Sequence, residues 1–78
     1  MANNASWTNV YKRINAKRIE ANLTWRELCS KSGVRMSTWM TGLPISHPTD
    51  EEIRKIAPVV NSTYAYLRYG ITDLSELE

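Results

Sequence analysis

Apolar residues recur along this chain at helical spacing in five short blocks, and Gly, Pro, Asn and hydroxyl residues separate the blocks. No stretch alternates apolar and polar residues as a half-buried strand does. The pattern therefore predicts an all-α domain of five short helices. They are expected at residues 7 to about 21, 25 to about 32, 35 or 36 to about 41, in the stretch after Thr49, and 63 to 69.

Helix ends are marked by capping residues. Thr24 with Glu27 and Thr49 with Glu52 each form a T-x-x-E capping box. Ser6 and Ser62 are predicted as further N-caps, and the expected stops are Asn22, Gly33, Gly42 and Gly70. Pro58 should end or kink the fourth helix, because proline has no N–H to donate and its ring would strike a carbonyl one turn earlier.

The spacing also predicts which residues are buried. The expected core residues are Val10, Ile14, Leu28, Cys29, Val34, Trp39, Ile53, Ile56, Ala57 and Val60. Four residues of the third helix should point mainly outward: Met36, Ser37, Met40 and Thr41. This free face is short and almost uncharged, and its Ser, Thr and Trp residues are indifferent helix formers. It must be held by packing, which leaves it available for contact.

Charge is unevenly distributed although the net charge is only +2. Up to Thr41 the chain has seven basic and two acidic residues, a net charge of +5, whereas the rest has three basic and six acidic residues, a net charge of −3. A concentrated positive charge suits an acidic partner such as nucleic acid, but on charge alone solvated helix faces are the simpler explanation.

The residue pattern does not indicate a catalytic site, a metal site or a membrane-inserted segment. The single Cys29 cannot form an intrachain disulfide and has no neighbouring histidine, so a core thiol in a reducing cytoplasm is expected. His47 lies in a loop without a second metal ligand at suitable spacing, and no chemistry is assigned to it. No leader or membrane-length apolar run is found. A protein without enzymatic activity, metal or cofactor is expected.

Two segments carry a family resemblance, RINAKRIEANLTWRELCSKSGVRMSTW and, after a proline-containing loop, IRKIAPVVNSTYAYLRYG. Together they resemble the DNA-binding domains of lambda-type phage repressors and Cro proteins, an XRE-like family, over about residues 10 to 70. The positions that carry most of the match are Thr24, Glu27, Leu28, Gly33, Val34, Tyr66, Leu67 and Gly70. The resemblance implies a helix-turn-helix in helices 2 and 3, with helix 3 in the DNA major groove.

Site residues follow from the resemblance by position. Those expected to face base edges are Arg35, Met36, Ser37 and Thr41. Those expected at phosphates are Lys17, Arg18, Thr24, Trp25, Thr38 and Ser46. An arginine can bind guanine O6 and N7 with two hydrogen bonds, hydroxyls can donate or accept, and a methionine can meet a thymine methyl.

Three departures from the family pattern limit the transfer. Where many relatives have glutamine, Trp25 either offers its indole N–H to phosphate or packs on helix 1 or Ser6. Arg18 often faces a buried glutamate in relatives, but Leu43 stands there, so Arg18 is either free for phosphate or paired with another carboxylate. Met36 and Met40 replace amides that commonly read adenine, so base preference cannot be copied.

The resemblance predicts a cytoplasmic phage-type transcription repressor that binds a palindromic operator as a homodimer. Three tyrosines of helix 5, together with the acidic tail, are candidates for the dimer contact: Tyr64, Tyr66 and Tyr69. A mixed core and surface role explains these tyrosines equally well. The expected organisation is a flexible arm at residues 1–6, the DNA-binding domain at 7–70 and a tail or linker at 71–78. The alternative is a protein-interaction module, such as an antitoxin-type helical adaptor.

Overall fold

The computed structural model describes residues 6–41 and 46–71, which form four α-helices and one 3₁₀ turn and contain no strand. The helices are α1 (Trp7–Glu20), α2 (Trp25–Ser32), α3 (Asp50–Val59) and α4 (Tyr64–Tyr69), and the 3₁₀ turn is Thr38–Thr41. The all-α prediction is confirmed for this part of the chain. Residues 1–5 of the predicted arm, the Gly42 stop, Leu43 and residues 72–78 of the predicted tail lie outside the described residues.

Capping geometry sets the helix ends as the sequence predicts, with one exception. Both capping boxes are present, and Gly33 and Gly70 close their helices in the left-handed region, each at φ 78°. The exception is α4, whose N-cap is Thr63 rather than Ser62, because the Thr63 hydroxyl accepts from the Tyr66 N–H at 3.1 Å. Ser62 instead belongs to the end of α3, since its backbone N–H donates to the Ala57 carbonyl at 2.8 Å.

Helix α3 ends one residue after Pro58, as the proline predicts. The turn that follows places Asn61 in the left-handed region at φ 55°. Asn tolerates this conformation better than most residues. The proline and the left-handed asparagine together turn the chain back toward α4.

The core lies between the four helices, with α1 packed on α4, α2 on α3, and α3 on α4. Nine of the ten residues predicted to be inside are buried, and Cys29 is half-buried. Leu67 of α4 completes the core with no exposed surface. The helical spacing of the apolar residues therefore predicted the core well, apart from the segment after Gly33.

The third helix differs from the prediction. Residues 34–37 are irregular, and only Thr38–Thr41 form helical structure, of the 3₁₀ type. Local hydrogen bonds explain the difference: the Ser37 hydroxyl donates to the Arg35 carbonyl at 3.0 Å, and such side-chain bonds compete with the α-helical pattern. The prediction of a fifth α-helix in this stretch is wrong for the described residues.

The prediction that Met40 points outward is also wrong, since Met40 is only 3% exposed. In the 3₁₀ turn both Trp39 and Met40 face the core, and the Met40 Sδ atom lies 3.5 Å from the Cys29 Sγ atom. An α-helix starting at Arg35 would have carried Met40 to a different angle. The thiol and thioether fill the space between the end of α2 and the turn.

One arginine joins the two ends of the chain. Arg13 of α1 donates from Nε to the Leu67 carbonyl at 3.1 Å and from Nη2 to the Arg68 carbonyl at 3.0 Å. These carbonyls belong to the last turn of α4, where intrahelical donors are lacking. Partial burial lowers the pKa of the Arg13 guanidinium. No helix of the described residues has the length and apolar character needed to cross a membrane.

Candidate nucleic-acid interface

An exposed segment between two buried anchors forms the centre of the candidate site. Val34, 5% exposed, follows the left-handed Gly33, and Trp39, 3% exposed, lies five residues further on. Between them Arg35 is exposed and Met36 keeps 58% of its surface exposed. The anchors hold the backbone on both sides, so these two side chains project from a fixed base although the segment is not an α-helix.

The two hydroxyls predicted to face bases are already engaged with the backbone. Ser37 donates to the Arg35 carbonyl at 3.0 Å, and Thr41 donates to the Thr38 carbonyl at 2.7 Å. Each hydroxyl has a single proton, so both keep only their lone pairs for an outside partner. In this conformation they can accept from the amino groups of adenine or cytosine, but they cannot donate to guanine.

Arg35 has all of its side-chain donors to spare. Its side chain forms no hydrogen bond or ion pair with any described residue. The chain has no acidic residue between Glu27 and Asp50, and Lys31 lies exposed on α2 in the same stretch. A segment with exposed cations and no carboxylate favours an anionic partner.

Thr38 and Ser46, both predicted at phosphates, lie together. Their hydroxyl oxygens are 2.7 Å apart, and either can be the donor. Only one proton is used in this contact, so one hydroxyl of the pair can still donate to an outside acceptor such as a phosphate oxygen. The bond also ties the 3₁₀ turn to the stretch that leads into α3.

The start of α2 is occupied by its own capping box. Glu27 accepts from the Thr24 N–H at 2.9 Å, while the Thr24 hydroxyl oxygen accepts from the Glu27 N–H at 3.1 Å. The backbone hydrogen bond from Thr24 lowers the pKa of Glu27, which keeps a negative charge at this helix end. A phosphate there would meet a carboxylate, so the Thr24 hydroxyl proton is the remaining donor for it.

Trp25 packs on helix α1, one of the two predicted alternatives. Its ring stacks on Tyr11 with centroids 6.0 Å apart, and Trp39 meets it edge-on at 5.8 Å. The packing partner on α1 is thus Tyr11. The ring links α1, α2 and the candidate segment in one aromatic cluster.

Arg18 pairs with no carboxylate among the described residues, and its guanidinium is partly engaged within the domain. Its Nε and Nη2 donate to the Asn15 Oδ1 at 3.2 and 2.7 Å, and its Nη1 donates to the Leu23 carbonyl at 2.7 Å. The guanidinium also lies 4.7 Å from the Trp25 ring centroid. Three of its five N–H donors are used, two within α1 and one on the turn between α1 and α2, and two remain for a phosphate.

Lys17 and the three tyrosines occupy the α1 and α4 side. Lys17 lies 3.5 Å from a Glu20 carboxylate oxygen and 5.2 Å from the Tyr66 ring centroid. Tyr64 donates to the Asp50 carboxylate at 2.8 Å, a bond that raises the pKa of Tyr64. Tyr69 is 44% exposed and meets Tyr64 edge-on at 6.2 Å. Among the predicted dimer residues, Tyr69 has the freest surface.

Sequence reasoning missed a stack around Trp7. The His47 ring lies parallel to the Trp7 indole with centroids 3.9 Å apart, and the Arg68 guanidinium lies 4.2 Å from the same indole. These residues come from three distant parts of the chain, so no local spacing signals the contact. The stack fastens the stretch before α3 to the start of α1.

The described residues contain no group of three or more His, Cys, Asp or Glu side chains that could hold a metal ion. Comparison of the chain with protein-family models, with curated proteins and with solved structures found no match.

Proposed function

We propose that this chain is a sequence-specific double-stranded DNA-binding domain of the lambda-repressor type, which acts as a transcription repressor on a palindromic operator. The observation that carries the proposal is the exposed Arg35 and Met36 pair, fixed between buried Val34 and Trp39 in a stretch free of carboxylates. In this proposal α2, the Gly33 turn and residues 34–41 correspond to the helix-turn-helix, and the segment after Gly33 enters the major groove.

Electrostatics supports a phosphate-rich partner. The seven basic residues up to Thr41 include exposed Arg26, Lys31 and Arg35. Neutralising phosphates with such groups releases counterions, which supplies affinity for any duplex sequence. The free hydroxyl proton of the Thr38 and Ser46 pair and the remaining Arg18 donors add neutral and charged phosphate contacts.

Selectivity in this proposal depends chiefly on Arg35. Its exposed guanidinium has no hydrogen-bond or ion-pair partner among the described residues, so all of its donors are available to a base edge. A bidentate contact to guanine is worth about 1 to 3 kcal/mol of discrimination. Since the Ser37 and Thr41 hydroxyl protons are used internally, these side chains act as acceptors beside it.

The test begins with selection of bound sequences from random duplex DNA, followed by affinity measurements on the selected duplex over a range of salt concentrations. Affinity should fall steeply as salt rises. Arg35→Ala should lower specific affinity by roughly 5- to 150-fold and relax selectivity at one base pair.

Lys55→Ala is the matched control, because it removes one positive charge from an exposed side chain of α3 that pairs with Glu51 at 3.2 Å. It should leave base selectivity unchanged. Selection without enrichment of any sequence, together with weak salt dependence, would refute the proposal.

A protein-interaction module is the second candidate, and the exposed apolar side chains favour it. Ile19, Met36 and Tyr69 keep 59%, 58% and 44% of their surface exposed. Aromatic residues and methionine are enriched at protein interfaces. A helical partner bound through these side chains would respond weakly to salt, so the same titration separates the two candidates.

A further inference from the structure

We infer that Met36 recognises the C5 methyl group of a pyrimidine at or next to the guanine bound by Arg35, so that binding depends on whether that base is methylated. The inference rests on the proposed DNA-binding function. Thymine and 5-methylcytosine carry this methyl at the same position of the major groove. The ligand is therefore a duplex with a methylated pyrimidine beside a guanine.

The inference follows from what is left unengaged after the segment has folded. Of the four residues predicted to face bases, two already donate their hydroxyl hydrogen bond to a backbone carbonyl, namely Ser37 and Thr41. Met40, the second methionine expected to point outward, is buried against Cys29. Met36 is therefore the apolar side chain of this segment that remains open to a partner, at 58% exposure.

Met36 is also placed beside the group that fixes the position on the duplex. Adjacent Cα atoms are 3.8 Å apart and successive base pairs about 3.4 Å apart, so neighbouring residues reach the same or neighbouring base pairs. Val34 and Trp39 restrict the backbone on both sides of Arg35 and Met36. The flexible, polarizable thioether suits a methyl group and offers no strong donor or acceptor to the other base atoms.

The charge around Met36 selects DNA over an apolar protein surface. Arg35 is adjacent, Lys31 is exposed nearby in the chain, and no acidic residue lies between Glu27 and Asp50. An apolar protein partner would have to bury the Arg35 charge without a counter-ion from this segment, which is costly. A major groove offers the methyl group and the negative potential together.

The test uses the full chain and the duplex obtained by selection. Each thymine is replaced in turn by deoxyuridine, which lacks only the methyl. One replacement, within one base pair of the guanine that depends on Arg35, should weaken binding about fourfold, the factor for burial of one methyl group. In Met36→Ala the same replacement should have no effect.

Ile19→Ala is the control variant, because it truncates a second exposed apolar side chain, on α1, and should keep the fourfold difference. At the sensitive position, a duplex with 5-methylcytosine paired with guanine should bind about fourfold more tightly than the duplex with unmodified cytosine. Equal affinity of these two duplexes would overturn the inference for methylated cytosine.

Two further results would overturn the assignment while leaving DNA binding intact: no deoxyuridine replacement has an effect, or Met36→Ala retains the effect. A wild-type chain that enriches no duplex sequence fails the proposed function itself. The two failures are therefore distinguishable.

Discussion

Arg13 gives the sharpest prediction about stability, because one side chain closes the structure between helices α1 and α4. Its guanidinium donates to the Leu67 and Arg68 carbonyls at 3.1 and 3.0 Å. Arg13→Met keeps the aliphatic stem and removes both hydrogen bonds. A hydrogen bond to a charged group contributes about 1.5 to 3 kcal/mol.

Arg13 is only half-buried, so water can replace part of the loss and the lower end of that range applies. The two bonds together should then lower the free energy of unfolding by about 3 kcal/mol. For a domain of this size the midpoint temperature should fall by roughly 12 to 24 °C. The final turn of α4 would be left with unpaired carbonyls, which also favours fraying of Tyr69 and Gly70.

Urea unfolding followed by tryptophan fluorescence and by far-ultraviolet circular dichroism measures the change. Lys12→Met is the matched control, because it removes an exposed positive charge from the neighbouring position of α1. It should change stability by less than about 0.5 kcal/mol. The stabilising role of the Arg13 hydrogen bonds is refuted if Arg13→Met and Lys12→Met unfold at the same urea concentration.

Three further predictions test local features. The pKa of Glu27 is lowered from 4.5 in the folded chain, so the stability that the Glu27 carboxylate contributes is complete above pH 4.5 and is lost as pH falls through the lower folded value. The urea midpoint of Glu27→Gln should therefore lack this loss of stability at acid pH, whereas the midpoint of Glu51→Gln should retain it. Trp39→Phe should cost no more than about 1 kcal/mol of unfolding free energy, because the buried indole N–H has no hydrogen-bond partner and its removal offsets the lost ring volume; a cost above about 3 kcal/mol, the range of full truncation, would contradict this. Arg18→Ala should lower the unfolding free energy by about 2 kcal/mol, because it releases Asn15, Leu23 and the Trp25 ring; an equal loss in Lys17→Ala would contradict the specific role of Arg18.

Local signals in the sequence predicted most of the fold. The two T-x-x-E pairs and the glycines at 33 and 70 fix helix ends through hydrogen bonds within a few residues, so their effect is visible in the sequence. The same holds for the core of α3, where Ile53, Ile56 and Ala57 share one helix face. Such features depend on neighbours in the chain and survive without knowledge of the tertiary structure.

Contacts between distant residues could not be predicted in the same way. Arg13 and Leu67 are 54 positions apart, and the stack of His47 on Trp7 joins a loop to the first turn of α1. The charge of Arg13 and the lone His47 were visible, but no spacing rule indicates which carbonyl or ring each side chain meets. Their partners are decided by how the helices pack.

The segment after Gly33 shows where local and tertiary effects compete. Helical spacing alone would place Val34 and Trp39 inside and Met40 outside, but Trp39 and Met40 are both buried. Burial of a methionine side chain contributes about 1.5 to 3 kcal/mol, which exceeds the few tenths that separate Ser, Thr and Trp from better helix formers. Tertiary packing therefore sets the conformation of this segment.

This competition also bears on the candidate interface. Because Trp39 and Met40 are held in the core and Ser37 and Thr41 bond to their own backbone, the side chains that remain for a partner are Arg35 and Met36. An α-helix over residues 35–41 would have presented four side chains to a groove, whereas the observed segment presents a cation and an apolar thioether supported by two hydroxyl acceptors. A DNA site bound in this conformation should therefore contain one short, specifically read element, a guanine beside a methylated pyrimidine. Phosphate contacts would fix the position of the protein, and DNA shape would supply the remaining selectivity.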